Sequence, residues 1–269
     1  MFKKIILATA IVASASFATW DYFPVLEAGK GSAAAGLYYD WHHDWSQAGL
    51  KAGVRYSIIQ NLEISLQSWG FQFWGETDCK GCANGGSGLR DLTLGGRYQI
   101  TPMVNAFVDF LLPIGSTDND GPGTNHPGSD ELALYLGGQF SMPIEQAPGL
   151  AFGTEAGLFW GFEHDNWERG LELHLGGEID YTIANIGLTP YAGLQLKFRI
   201  TESEWEGDDG KEYGADDDGD KQIIIWLGAG YAVIPNQLNV KAQLFVRSGD
   251  HDNMGGDASG LYIGAEYFF

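Results

Sequence analysis

Two cysteines three positions apart are the first residues in this sequence whose spacing could support chemistry. Cys79 and Cys82 form the stretch CKGC inside a long segment rich in glycine. A redox-active thiol of the thioredoxin type needs a helix N-terminus to lower its pKa, and the flanking glycines predict no such helix. Two cysteines alone cannot complete a tetrahedral zinc site. The pair therefore predicts a local disulfide, with a metal or redox role as the alternative.

Clustered carboxylates are the second candidate, because hard divalent cations prefer oxygen ligands. The stretches are DNDGPG, EGDDGKEYGADDDGDK and DHDNMGGD. Asp216, Asp217, Asp218 and Asp220 lack the distal glutamate that completes a calcium-binding loop. Solvated acidic loops are expected, with weak calcium or magnesium binding as the alternative. The sequence predicts no dedicated metal site and no cofactor.

Histidines could also indicate catalysis, since some membrane-embedded barrels are enzymes that use His with Ser or Asp. His174 lies in an alternating stretch, with its side chain on the same side as those of Glu172 and Glu178. No serine shares an apolar strand face with a histidine. The sequence therefore predicts a protein that is not an enzyme. The other histidines lie in loops or near strand ends: His42, His43, His126, His164 and His251.

The elements that must position these residues are β-strands, indicated by apolar and polar side chains that alternate along the chain. Several of the runs are ten to thirteen residues long. That length exceeds the usual strand of a soluble protein and fits a tilted membrane-spanning strand. Twelve strands are predicted, at 32–41, 47–59, 62–74, 89–100, 104–115, 131–142, 150–162, 171–183, 188–200, 222–233, 238–248 and 260–269.

The connections between these runs alternate in length. Those after even-numbered strands are short, as in QN and AN, whereas those after odd-numbered strands are mostly long and polar. Long loops on one side and tight turns on the other are typical of outer-membrane barrels. The predicted fold is all-β, a transmembrane antiparallel up-and-down β-barrel of about 12 strands.

Charge and aromatic placement favour this barrel over a soluble sandwich. In the twelve runs sixteen Asp, Glu, Lys and Arg residues, together with His174, lie on the polar phase, and a charge facing lipid at mid-depth would cost about 2–4 kcal/mol. Aromatic residues on the apolar phase form two predicted girdles. One comprises Tyr56, Tyr98, Phe140, Tyr181, Tyr231 and Tyr267, and the other Trp41, Trp74 and Trp160. In the third strand the phase changes, which predicts either a β-bulge near Gln67 to Gly70 or a protruding upper half.

The polar phase should line the lumen. Predicted strands five to eight carry only negative charges, and strands two, nine and eleven only positive ones. Opposite walls of opposite sign would set a field across the bore that favours polar solutes; the alternative is a bore closed by salt bridges. Inward aromatic residues would form stacking surfaces or simply fill space. The proposed lumen residues are Lys51, Arg55, Arg97, Asp109, Glu155, Glu172, His174, Glu178, Asp180, Lys197, Arg199, Lys241 and Arg247.

The two ends of the chain predict export and membrane insertion. Residues 1–18 combine Lys3 and Lys4 with a short apolar run and small residues, as in a secretory signal peptide. A short periplasmic segment, 19–31, would precede the barrel, 32–269. The final strand, LYIGAEYFF, ends on an aromatic residue, the feature that barrel-insertion machinery reads. The net charge of −20 argues against nucleic acid as a partner.

One stretch resembles a known family. GSGLRDLTLGGRYQI contains Gly88, Asp91, Leu92, Leu94, Gly95, Arg97 and Tyr98. This pattern is similar to a strand of the transporter family named for the meta pathway of phenol degradation. That resemblance implies an outer-membrane barrel distantly like the fatty-acid porins, and it points to hydrophobic or aromatic solutes.

These observations combine into one functional expectation. The protein is predicted to be a channel in the outer membrane of a Gram-negative bacterium, with both termini periplasmic, through which small solutes diffuse. Outer-membrane lipid and lipopolysaccharide would surround it. A structural or adhesive barrel without conductance is the alternative, and a barrel enzyme is the third interpretation.

Overall fold

The computed structural model describes residues 23–77, 86–116, 127–164, 166–207, 210–250 and 256–269. Alternating side chains give extended segments in all of these ranges. The strands are β1 (Gly31–Trp41), β2 (Trp45–Ile59), β3 (Leu62–Thr77), β4 (Gly88–Leu89), β5 (Leu92–Thr101), β6 (Val104–Leu112), β7 (Ala133–Pro143), β8 (Leu150–Gly161), β9 (Trp167–Glu168), β10 (Glu172–Tyr181), β11 (Leu188–Arg199), β12 (Glu204–Glu206), β13 (Glu212–Gly214), β14 (Lys221–Ile234), β15 (Leu238–Gly249) and β16 (Ala258–Phe268).

Antiparallel pairing of successive long strands closes the sheet into a barrel. The order runs β2-β1-β16-β15-β14-β11-β10-β8-β7-β6-β5-β3, and β2 also pairs with β3. Since β4 and β5 follow each other along β3, they form one strand of a 12-strand barrel. Gly31 and Phe269 exchange two backbone hydrogen bonds of 2.9 Å at the seam between the first and last strands. The predicted fold class is confirmed.

The polarity of this barrel is the reverse of that of a soluble protein. Glu63, Gln72 and Asn105 are fully buried, whereas Leu227 is 62% exposed and Val246 58% exposed. An apolar outer surface of this extent is stable in lipid rather than in water. The described barrel strands thus bury charged side chains such as Glu63 on the side where the sequence predicts the inner phase. Within the same ranges, no helix has the length and apolar character to cross a bilayer.

Both predicted aromatic girdles are present on the outside. Tyr98, Tyr181 and Tyr267 are 45–53% exposed near the short turns. At the long-loop end the ring of Tyr39 stacks on Trp41 at 5.4 Å and on Trp74 at 6.0 Å. The tight turns at the short-turn end use residues that tolerate a left-handed backbone, such as Asn61 with a φ of 69°.

The irregularity predicted in the third strand is a β-bulge. Ala52 pairs with Trp69 and Val54 with Leu66, so the pairing shifts between them, and Ser68 adopts a φ of 58°. The extra residue turns Trp69 and the aromatic residues after it to the outside. The apolar phase therefore continues along β3 despite the change in sequence parity.

Two features differ from the sequence-based prediction. The predicted strand 89–100 is interrupted, because the Asp91 carboxylate accepts hydrogen bonds from the backbone N–H groups of Gly115, at 2.9 Å, and Ser129, at 2.6 Å. Asp91 thus fastens the following long connection to the barrel. In addition, β9, β12 and β13 form a small sheet at the long-loop end, within connections for which the sequence predicts no strands. The rings of Trp205 and Tyr213 stack there at 4.8 Å.

Candidate solute pathway

A cavity of about 500 Å³ lies inside the barrel. Its lining includes Tyr38 on β1 and Lys51 on β2 from one side, Glu155 on β8 and Glu178 on β10 from the other, and Lys241 on β15 between them. In the strand order, β8 and β10 lie half a circuit away from β1 and β2, so the cavity separates two walls. Its volume is in the range of sites that hold small molecules.

Four cations, here called the basic cluster, are Lys51, Arg90, Lys241 and Arg247. Lys51 interacts electrostatically with the other three. Lys51 Nζ lies 4.9 Å, and the Arg90 guanidinium 5.1 Å, from the centre of the Tyr38 ring. Lys241 and Arg247 likewise lie over aromatic rings, those of Tyr262 and Trp45. Aromatic faces attract cations without neutralising them. Asp40 also lines the cavity and interacts with Lys51 and Arg247, so its one negative charge offsets part of the positive charge of the four cations.

Carboxylates on the opposite wall receive hydrogen bonds from neutral donors. The Tyr135 hydroxyl and, at 2.7 Å, the Gln139 amide donate to Glu155. The Trp226 indole N–H donates to Glu178. Neutral donors stabilise a carboxylate while leaving its charge in place. Glu155 and Glu178 therefore place two carboxylates on this wall of the cavity.

Other charges form ion pairs within the wall. Arg97 on β5 binds Asp109 on β6 through two hydrogen bonds, at 2.6 and 2.9 Å. Arg55 on β2 lies 3.7 Å from Glu63 on β3 and 3.7 Å from Glu266 on β16. These partners lie on neighbouring strands or, for Arg55 and Glu266, on the next strand but one, so the pairs stiffen the wall and leave the cavity between the walls.

A denser cluster lies where β10 begins and β11 ends. Glu172 accepts a hydrogen bond from Arg199 at 2.8 Å and interacts with His174 at 2.9 Å. Arg199 also contacts Asp217 and donates to the Ser203 hydroxyl at 2.6 Å. Arg199 and His174 are therefore held by the wall and its loops. Asp217 is likewise a buried structural partner and differs from the solvated carboxylates expected in this acidic loop.

Hydrogen bonds also change the pKa of the Asp217 carboxyl group. Burial by itself would raise the pKa of Asp217, but hydrogen bonds from the Ser203 backbone and hydroxyl, together with Arg199, lower it below the ordinary value of 3.8. In the neighbouring loop, Arg169 donates to both oxygens of Glu131 at 2.9 Å. The charged forms of both groups fasten loops over the long-loop end of the barrel.

Glycines allow the inward aromatic rings to lie against the wall. A Cβ atom added to Gly193 would lie 2.4 Å from the Trp226 ring, and one added to Gly36 would lie 2.5 Å from the Tyr262 ring. Both distances are far shorter than van der Waals contact. The rings cover these glycines and leave the centre of the bore open, which favours the stacking-surface interpretation over simple filling.

The segment before β1 enters the short-turn end of the bore. Phe23 is 5% exposed and lines the cavity. The backbone N–H of Val25 donates to Gln99 at 3.0 Å, and that of Leu26 donates to Glu63 at 3.1 Å. Gln99 lies near the end of β5, so the segment crosses part of the opening.

The remaining predicted residues are placed as follows. Lys197 on β11 is half-buried, and Asp180 on β10 is 4% exposed. Cys79 and Cys82, and the predicted signal peptide at 1–18, lie outside the described residues. Sequence reasoning missed Arg90, because this residue falls in the break between β4 and β5, where the alternation that identifies lumen residues is lost.

Comparisons with known proteins support the fold. No protein-family model and no curated protein matches the chain. A solved outer membrane channel, the COG4313 channel from Pseudomonas putida F1, matches 94% of this chain over 100% of its own length, with 14% identity and a TM-score of 0.70. The translocator domain of the autotransporter NalP from Neisseria meningitidis matches 98% of this chain over 95% of its own, with 12% identity and a TM-score of 0.52. The NanC porin matches 88% over 98%, with 12% identity and a TM-score of 0.50. The chain thus has the barrel fold that the family resemblance implies.

Proposed function

We propose that the chain is an outer-membrane channel through which small polar solutes diffuse. The observation that carries this proposal is the cavity of about 500 Å³, which is lined by Lys51 and Lys241 of the basic cluster and by the wall of Glu155 and Glu178. A field between walls of opposite sign orients dipolar solutes and lowers the energy of zwitterions relative to apolar compounds. Two of the similar barrels are named as a channel and a porin, which supports the same class of function.

Electrical recording tests conduction directly. The purified protein is inserted into planar bilayers, and discrete conductance steps are expected. Swelling assays on proteoliposomes then compare a sugar, an amino acid and an aromatic acid. Faster entry of the amino acid supports the two-wall mechanism, whereas preference for an apolar aromatic compound would favour the solutes that the family resemblance suggests.

A structural or adhesive barrel without conductance is the second candidate. Phe23 and the ion pairs around Arg55 occupy part of the short-turn end, and this narrowing favours low conductance. Absence of discrete steps and of swelling with all three solutes would establish this candidate instead. A barrel enzyme is the least supported interpretation, because His174 is held by Glu172.

The cellular placement follows from the same proposal. Residues 1–18 act as a signal peptide, the barrel resides in the outer membrane among lipid and lipopolysaccharide, and its insertion uses the C-terminal strand. Both termini and the short turns face the periplasm. Protease added outside intact cells should cut only within the long loops, and the unboiled barrel should migrate faster than the boiled one. Cys79 and Cys82 form a disulfide, which thiol alkylation before and after reduction tests by mass spectrometry.

A further inference from the structure

The turn between β1 and β2 brings three metal-binding side chains together. One nitrogen of His42, one nitrogen of His43 and one carboxylate oxygen of Asp44 all lie within 4.8 Å of one another. His43 Nδ1 lies 2.8 Å from His42 Nε2, and His43 Nε2 lies 2.7 Å from Asp44 Oδ2. We propose that this His-His-Asp turn binds a divalent transition-metal ion of the zinc or copper class at the long-loop end of the barrel.

The backbone holds the turn in one shape. The N–H of His42 donates to the carbonyl oxygen of Trp45 at 2.7 Å, which links the end of β1 to the start of β2. The ring of His42 lies 6.1 Å from the ring of Trp45. Because the paired strands fix both ends of the turn, little conformational entropy is lost when the three side chains bind one ion.

The exposure of the ligands suits an accessible metal site. The side chain of His42 is 22% exposed, that of His43 75% and that of Asp44 55%. The two more exposed side chains can rotate to reach the bond lengths of about 2.0–2.2 Å that zinc forms with imidazole and carboxylate. Water would fill the remaining coordination position, as in zinc sites with three protein ligands.

The type of ligand determines the class of metal. Two imidazoles with one carboxylate favour zinc and copper, whereas calcium and magnesium prefer sites made of oxygen. The acidic stretches elsewhere in the long loops offer mainly carboxylates, so the two kinds of site should differ in selectivity. The bound ion would add positive charge near Arg247, whose guanidinium lies 5.9 Å from the centre of the Trp45 ring.

Isothermal titration with zinc chloride tests the proposal on tag-free, full-length barrel in detergent after treatment with EDTA. One saturable site is expected, which excess calcium does not displace. His42→Ala and His43→Ala should each weaken zinc binding by about tenfold or more, since each removes a ligand. His164→Ala is the matched control, because this exposed histidine lies 3.7 Å from the Asp130 carboxylate and is not part of the His-His-Asp turn. This variant should retain the original affinity.

Two results would overturn the proposal: no saturable zinc binding, or unchanged affinity when His42 and His43 are both replaced by alanine. Copper quenching of tryptophan fluorescence gives a second measurement that does not depend on those variants folding. One equivalent of copper should quench the original protein, and Trp45→Phe should lose most of that quenching. Quenching that is the same in Trp45→Phe would assign the copper to another part of the barrel and refute the site.

Discussion

Arg199 Nη2 lies 2.8 Å from Glu172 Oε1 on the neighbouring strand, so this cation is paired within the wall. Its guanidinium also contacts Asp217 in the loop that follows β13. Lys51 instead lies over the Tyr38 ring and lines the cavity. Charges on the inner phase therefore belong to two groups, one that fastens the barrel and one that faces the solute path, and substitutions should distinguish them.

Arg199→Gln should destabilise the barrel with little effect on ion selectivity. The change removes a positive charge that balances the carboxylates of Glu172 and Asp217. Breaking a buried ion pair typically costs about 3–5 kcal/mol of folding stability. The temperature at which the fast-migrating band is lost on gels should fall. Lys211→Gln, in an exposed loop position, is the control and should change neither property. A large shift in reversal potential for Arg199→Gln would show that this charge faces the bore after all.

Lys51→Gln combined with Lys241→Gln should shift the reversal potential toward cation preference. Both side chains line the cavity, and removing them weakens the positive wall while Glu155 and Glu178 remain. Planar-bilayer recording under a salt gradient measures the shift, which should be larger at low salt because screening is then weaker. The same shift from Lys211→Gln would contradict a role specific to the basic cluster.

Deletion of residues 19–26 should increase single-channel conductance. Phe23 lines the cavity, and Leu26 is tied to Glu63 at the short-turn end, so the deletion widens the narrow part of the path. Phe23→Ala should produce a smaller increase in the same direction. Phe152→Ala, on β8, makes the same change on the outer face and serves as the control. Unchanged conductance in the deletion would mean that the limiting constriction lies elsewhere.

Acid should release the loop that contains Asp217. The pKa of Asp217 is lower in the folded state than its ordinary value of 3.8, so its stabilising contribution is complete above that pH and is lost as the pH falls through the folded value. Pepsin should therefore cut the loop between β11 and β14 faster as the pH is lowered below about 3.8. Asp217→Asn should be cut readily at pH values above this and respond less to acid. Identical pH profiles for the two proteins would contradict the assignment.

Much of the fold is predictable because one physical rule governs every strand. Lipid excludes charge from the outer face of each barrel strand. Whether residues such as Lys51 and Arg97 occupy odd or even positions in their strands therefore identifies the face that lines the lumen, and the number of runs that follow this rule gives the number of strands. The sequence-based prediction fails where this alternation of apolar and polar side chains is interrupted. The bulge at Ser68 and the loop contacts of Asp91 depend on long-range pairing that no local pattern encodes. The partners of Arg199 could not be predicted either, since Asp217 lies in a polar loop without periodicity.

The two aromatic girdles also specify the membrane that suits this protein. Tyr181 pairs with Leu150 at one level, and Trp160 lies ten residues further along β8. Ten residues of strand span ~33 Å, and the usual barrel tilt of about 40° reduces this to ~25 Å across the bilayer. That hydrophobic thickness matches the thin outer membrane better than a thicker bilayer. Reconstitution should therefore become less efficient as the acyl chains of the host lipid are lengthened.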